Sequence, residues 1–251
     1  MPVLVVAGVC QGLSAGAGWA PLLRDASLEV ERGEVVAVVG GRLSGKTTLL
    51  KIAAGIVTPE AGSVRLGEHE LTGMSERERV RLRGRELVWL NRVGMSQPLE
   101  VVKIVGWPLA MRRGRRETER RAGEMLERVG ALDCARKRWA DLSPRQQLLV
   151  GFAQAFAASP KVVIIDDLLD ALGSRATKEA SDLLRSLIAE AEHRCGVLMS
   201  VSDRDSAVFA DRAWSLDGGG KLTPTSGHSN SHAQILPLRR RDEGGGSRRA
   251  G

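Results

Sequence analysis

A chain of 251 residues, 43% of them hydrophobic, is long enough to enclose the core of one α/β domain with a sub-domain inserted. Its formal charge of +7 is concentrated at Arg112, Arg113, Arg115 and Arg116 and near residues 239–241, yet there is no Tyr and only three Phe to stack single-stranded bases, so nucleic acid is not an expected partner. No run reaches the roughly 18 apolar residues of a membrane span, and Cys10, Cys134 and Cys195 are too far apart for metal or CxxC spacing, which together imply a reduced, non-spanning, cytoplasmic chain.

In chain order, residues 3–7 form a short apolar run without a basic start or a cleavage site. Residues 28–30 alternate before the turn Glu31-Arg32-Gly33-Glu34, and residues 35–39 are continuously apolar, as in a buried parallel strand. Residues 47–54 are helical in pattern and stop at Gly55, and residues 64–66 suit a short strand. The first third therefore reads as strands, turns and one helix. From about residue 91 to 151 the character is helical, with Ala122, Met125, Leu126 and Val129 on one face of residues 117–129. Strand character returns at residues 162–165, followed by a helix through Leu183, Leu184, Leu187 and Ile188. Residues 197–201 and 214–216 are the last strand candidates, and beyond Thr223 the Gly, Ser, Pro and Arg content predicts a disordered tail.

Gly40-Gly41-Arg42-Leu43-Ser44-Gly45-Lys46-Thr47, followed by Thr48, fits G-x-x-x-x-G-K-[ST] between a strand and a helix. Glycines there let backbone N–H groups wrap phosphates, Lys46 supplies a point charge, and the Thr47 hydroxyl suits Mg²⁺. Val162-Val163-Ile164-Ile165-Asp166 is the expected companion, a buried strand ending in a carboxylate that can hold the same Mg²⁺.

Asp141-Leu142-Ser143-Pro144-Arg145-Gln146-Gln147, shortly before Asp166, resembles the LSGGQ signature of ABC transporter ATPases. Ala53-Ala54-Gly55 and Gly62-Ser63-Val64 resemble the segment after that family's phosphate loop, and Ala210-Asp211-Arg212-Ala213 with Asp217-Gly218 the end of its last core strands. The likeness covers roughly residues 3–222. Residues 71–87, especially Ser75-Glu76-Arg77-Glu78-Arg79, are similar to the branch of lipoprotein-release and macrolide-export systems. The resemblance implies an α/β P-loop NTPase core of the ABC type over residues 1–222, a helical sub-domain at about 91–151, and a basic Gly/Ser-rich tail at 223–251. It implies ATP and Mg²⁺ as cofactors, with Gly40, Gly45, Lys46, Thr47 and Thr48 on the phosphates and Thr47 and Asp166 on the metal. It also implies a homodimer or a heterodimer with another ABC ATPase, in which Ser143 and Gln146 face the second chain's nucleotide. The expected partner is a membrane permease engaged through the Asn91 region, with the chain peripheral at the inner face of the cell membrane. The alternative is a soluble ABC-type regulatory or scaffold protein with no permease. A P-loop nucleotide kinase would leave the Ser143 helix without a role.

The sequence departs from that family's pattern where hydrolysis is carried out. Asp167 stands where the family has the Glu that addresses the attacking water, withdrawing the carboxylate by one methylene; a misplacement of about 1 Å can cost on the order of 10²-fold. Ser202 stands for the switch histidine and Asn91 for the Q-loop glutamine, keeping an amide with shorter reach. Gly173 falls at the D-loop aspartate, and Leu13 replaces the adenine-stacking tyrosine, with Trp19 either a substitute platform or simply a packed or loop-tip indole. Pro144 removes an N–H from the signature and Arg145 adds bulk, or its own charge, where glycine would permit close approach. The expectation is an ATPase with impaired turnover.

Overall fold

The computed structural model describes residues 1–15, 18–91, 99–110, 113–168, 174–191, 193–207 and 209–225. Two sheets form. The first is antiparallel, in the order β2-β1-β4-β5, with β1 Leu4–Ala15, β2 Gly18–Val30, β4 Ala61–Leu66 and β5 His69–Glu70. The second has the order β10-β9-β3-β8-β7-β6, with β3 Val35–Val39, β6 Leu87–Asn91, β7 Val162–Asp166, β8 Gly196–Val201, β9 Arg212–Leu216 and β10 Leu222–Pro224. All its pairs are parallel except β9 with β10.

The central strands β3, β7 and β8 are buried at every residue, which is why they read as unbroken apolar runs. Alternation sends Val36, Val38, Ile164 and Leu198 to one face, against the antiparallel sheet and α1 Lys46–Ala53. Ala37, Val163, Ile165, Val197 and Met199 go to the other face, against α3 Val101–Ala110, α4 Arg115–Arg128, α5 Pro144–Ala157 and α6 Ser174–Glu190. Helices α3, α4 and α5 pack on one another in the stretch between β6 and β7. On α4, Ala122 and Leu126 are fully buried and Met125 partly so, as the helical period predicts.

The structure corrects the sequence reading in three places. A second helix in the first third, α2 Glu76–Glu86, buries none of its residues, so no apolar stripe announces it; it is started by a reciprocal Ser75–Glu78 capping box. It is tied down by Arg83, which donates to the Gly55 carbonyl at 2.6 Å. The strand expected at residues 28–30 is also far longer, running from Gly18 to Val30, and the apolar run at residues 3–7 opens a similarly long strand, Leu4–Ala15. Finally, β10 follows the expected last strand, so Thr223 and Pro224 belong to the sheet, the Thr225 N–H donates to the Ala213 carbonyl at 2.9 Å, and residues 226–251 of the predicted tail lie outside the described residues.

Because β3, β8, β7 and β6 run parallel, their C-terminal ends meet at one edge. Gly40 follows β3, Ser202 follows β8, and Asn91 pairs in register with Asp166 across β6 and β7. Open α/β sheets place their ligands at this edge.

Candidate functional site

The phosphate loop is built by backbone geometry. Gly45 precedes α1 at φ +101°, and a Cβ there would meet Leu22 Cγ and the Leu22 carbonyl oxygen at 3.1 Å, so both conformation and space require glycine. At Gly40 a Cβ would lie 2.6 Å from Ser44 Oγ and 2.8 Å from the Leu216 carbonyl. Helix α1 has no side-chain cap, and its first helical bond runs from the Leu49 N–H to the Gly45 carbonyl. The N–H groups of Lys46, Thr47 and Thr48 therefore lie ahead of the helical ladder, at the positive end of the helix dipole. Lys46, only 7% exposed, donates from Nζ to the carbonyls of Gly40 at 2.6 Å and Gly41 at 3.0 Å, so its charge lies over the loop.

Opposite the loop, Thr47 Oγ1 donates to Asp166 Oδ1 at 3.2 Å. Asp166 is also 7% exposed, and burial pushes its carboxyl above the ordinary carboxylate range. Hydrogen bonds from Ser200 and Thr47 and the charge of Lys46 oppose that rise, while the neighbouring Asp167 adds to it. Ser200 Oγ donates to Asp166 Oδ1 at 2.8 Å and accepts the Asp167 N–H at 2.9 Å. Asp167 itself is exposed and has a left-handed backbone, φ +50°. Sequence reasoning overlooked Ser200. The available signal was a polar residue inside Gly196–Val201, a strand otherwise apolar enough to be buried on both faces, where a hydroxyl needs a partner.

Thus Gly40, Gly45, Lys46, Thr47, Thr48, Asp166, Asp167, Asn91 and Ser202 gather at the loop and the sheet edge. Ser202 Oγ donates to Asp203 Oδ2 at 3.1 Å. Asp203 also accepts the Ser206 N–H, which holds its carboxyl below the usual range.

Ser143 and Gln146 stand apart, at the head of α5, where their hydrogen bonds are to each other. The Gln146 N–H donates to Ser143 Oγ at 3.3 Å and the Ser143 N–H to Gln146 Oε1 at 3.0 Å. Arg145 donates to Glu179 Oε2 on α6 at 3.3 Å, so α6 holds the guanidinium. Leu13 is 53% exposed on β1; the Trp19 side chain and residues 169–173, with the D-loop position, lie outside the described residues.

ATP and Mg²⁺ fit what is present. Ser44 Oγ, buried in the loop without a hydrogen-bond partner, would find one in a phosphate oxygen. Thr47 and Asp166 are hard oxygen donors, as Mg²⁺ prefers. Among the described residues no group of three or more His, Cys, Asp or Glu is arranged to hold a metal alone.

The sequence profile of the family described as ABC transporter matches residues 23–169. The methionine import ATP-binding protein MetN of Nocardia farcinica is 33% identical over 205 residues, covering 76% of this chain but 59% of its own length. The phosphonates import ATP-binding protein PhnC 1 of Rhodopseudomonas palustris is 30% identical over 207 residues, covering 78% of this chain and 75% of its own. These relatives carry the family and not the lipoprotein-release or macrolide-export branch. In fold, the chain resembles the dimeric post-hydrolysis state of the ATP-binding cassette MJ0796 bound to ADP and Pi, with TM-score 0.79 and 24% identity over 89% of this chain and 99% of that one. Among the described residues no helix is long and apolar enough to cross a membrane. The chain belongs to the ABC transporter ATP-binding family.

Proposed function

We propose that this chain is the ATP-binding subunit of an ABC transporter-type complex, in which MgATP binding closes a dimer and the closure is passed to a membrane permease while hydrolysis is slow. The observation that carries the reading is the Thr47–Asp166 contact, 3.2 Å, lying below the uncapped start of α1. A nucleotide-binding unit of residues 1–222 with its helical sub-domain at about 91–151 serves this role. The names of the relatives favour an importer of a small solute.

In this reading Lys46 and the first N–H groups of α1 grip the phosphates, and Thr47 and Asp166 hold Mg²⁺. The metal, when bound, draws charge from the phosphate oxygens. Asp167 orients the attacking water, Ser202 hydrogen-bonds the terminal phosphate, and Asn91 relays the state of the site to the permease. Ser143 and Gln146 complete the second chain's site. Turnover is slow because the Asp167 carboxylate is short and Ser202 carries no charge.

Three measurements test this. In calorimetry MgATP should bind the wild type and fail to bind Lys46→Ala; equal heats would overturn the loop assignment. In steady-state phosphate release at saturating MgATP, the wild type should turn over below about 1 s⁻¹, the bottom of the ordinary enzyme range. Asp167→Glu and Ser202→His should together raise the rate more than either change alone, because groups in one catalytic unit are non-additive. A wild-type rate at or above that threshold would refute slow hydrolysis. Coupling predicts that the chain sediments with membranes when its permease is present; retention on permease-free vesicles at high salt, where charge attraction is screened, would contradict it.

A further inference from the structure

Ser200 lies outside the motifs that define the site, yet its side chain reaches both acids. It occupies β8, the strand between β3, which enters the phosphate loop, and β7, which ends in the acids. Val38 is its register partner on β3, while Met199 pairs with Ile165 on β7, which brings Asp166 alongside Ser200. Alternation along β8 puts Ser200 on the face of Leu198, the side of the sheet that carries α1, and leaves it 0% exposed.

Its Oγ meets three polar atoms: the Asp167 N–H at 2.9 Å, Asp166 Oδ1 at 2.8 Å and Asp167 Oδ1 at 3.3 Å. A hydroxyl carries one proton and two lone pairs. The shorter contact assigns the proton to Asp166, and one lone pair takes the Asp167 N–H. That second bond fixes the Asp167 peptide where φ is +50°, a conformation costly for a residue with a Cβ and one that surrounding contacts must enforce.

We propose that Ser200 is a positioning residue of the ATPase site: its buried hydroxyl holds Asp167 in the left-handed turn and Asp166 opposite Thr47, fixing together the carboxylate that holds the metal and the one that addresses water. The proposal rests on the roles given above to Asp166 and Asp167. An apolar residue would suit the interior of β8 better, since a buried hydroxyl is costly unless bonded. Without the hydroxyl the turn relaxes and the water-directing carboxylate shifts, while the phosphates remain gripped by the loop. The loss therefore falls on the chemical step and spares nucleotide affinity.

The experiment compares full-length wild type, Ser200→Ala and Ser200→Thr, the last keeping the hydroxyl. In nucleotide-free protein, hydrogen exchange at the Asp167 amide should be about tenfold faster in Ser200→Ala and near wild type in Ser200→Thr, with the amides of β7 and β8 unchanged in both. MgATP affinity should stay within about twofold of wild type. Single-turnover hydrolysis should fall by about 10- to 100-fold in Ser200→Ala, the scale of an ångström-sized misplacement, and recover in Ser200→Thr. Unchanged Asp167 exchange, exchange accelerated throughout β7 and β8, or an unchanged hydrolysis rate in Ser200→Ala would each overturn the proposal. Asp167→Asn separates the two levels: if it hydrolyses like wild type, the role given to Asp167 fails, whatever exchange shows for Ser200.

Discussion

Helices α1 and α5 both begin near residues expected to meet nucleotide, and their first turns are built in opposite ways. Helix α1 starts from a glycine, lacks a side-chain cap, and leaves N–H groups ahead of its first helical bond. Helix α5 starts with a complete capping box, its Ser143 and Gln146 bonded reciprocally, and has Pro144 at N1, where no N–H exists. An anion arriving at α1 finds donors that need a partner. At α5 the Gln146 N–H is already taken by Ser143 Oγ and Pro144 has none to offer, with the adjoining Arg145 side chain paired to Glu179. An uncapped helix start offers an anion more backbone donors than a capped one, so the two starts differ in what they present before any second chain arrives.

The largest effect that should expose this difference is Gly45→Ala. The left-handed backbone and the 3.1 Å approach to Leu22 make any Cβ there strained, at a cost of about 1–3 kcal/mol. Relief requires the loop to move away from the start of α1. MgATP affinity by calorimetry should fall by at least tenfold, and the thermal midpoint should drop with it. Retention of wild-type affinity would mean that the loop geometry is not what binds phosphate.

A second and smaller effect concerns charge. The uncapped helix faces Asp166, whose folded-state affinity for a proton is raised chiefly by burial. A carboxyl with a raised folded pKa favours folding when protonated, and that advantage is lost as pH climbs from the unfolded value, about 3.9, through the raised folded one. Above that window the buried charge burdens the fold. Asp166→Asn keeps an oxygen for Thr47 and Ser200 without the charge. In metal-free buffer at neutral pH its thermal midpoint should exceed that of wild type, and the gap should close as pH falls toward 4, while hydrolysis is abolished. A lower midpoint at neutral pH would show that the carboxylate's hydrogen bonds outweigh its desolvation.

The sequence exposed this site unevenly, for physical reasons. The loop and Asp166 were legible because each function there demands particular residue types at fixed spacing beside a buried strand. Strands β3, β7 and β8 were legible because burial on both faces leaves continuous apolar runs. The long β1–β2 hairpin was hidden because register shifts between Val6 and Gly12 break the two-residue alternation by which a strand is recognised. Helix α2 was hidden because none of its residues is buried, and only the Ser75–Glu78 spacing marked its start. Ser200 escaped notice because its partners come from another strand 34 residues away in sequence, and no local pattern reveals which rung a serine will share. The capping box at Ser143 was visible in sequence, but the pairing of Arg145 with Glu179 depended on how α5 and α6 pack.

That last pair gives the smallest and most discriminating prediction. Ser143→Ala removes the cap that satisfies the Gln146 N–H, and such losses cost about 1 kcal/mol. Arg145→Ala removes an ion pair at 3.3 Å whose partners are 61% and 47% exposed, a class worth about 0.2–1 kcal/mol even before screening by salt. Denaturant unfolding should therefore rank Ser143→Ala below Arg145→Ala, with Arg145→Ala close to wild type and closer still in high salt. Neither substitution should change MgATP affinity measured on the isolated chain at low concentration, because neither side chain bonds to the phosphate loop. If Arg145→Ala weakens nucleotide binding only at concentrations where the chain self-associates, the guanidinium leaves Glu179 to serve the nucleotide of a second chain. If binding is unaltered at every concentration, the arginine does no more than fasten α5 to α6, and the contrast between the two helix starts is complete.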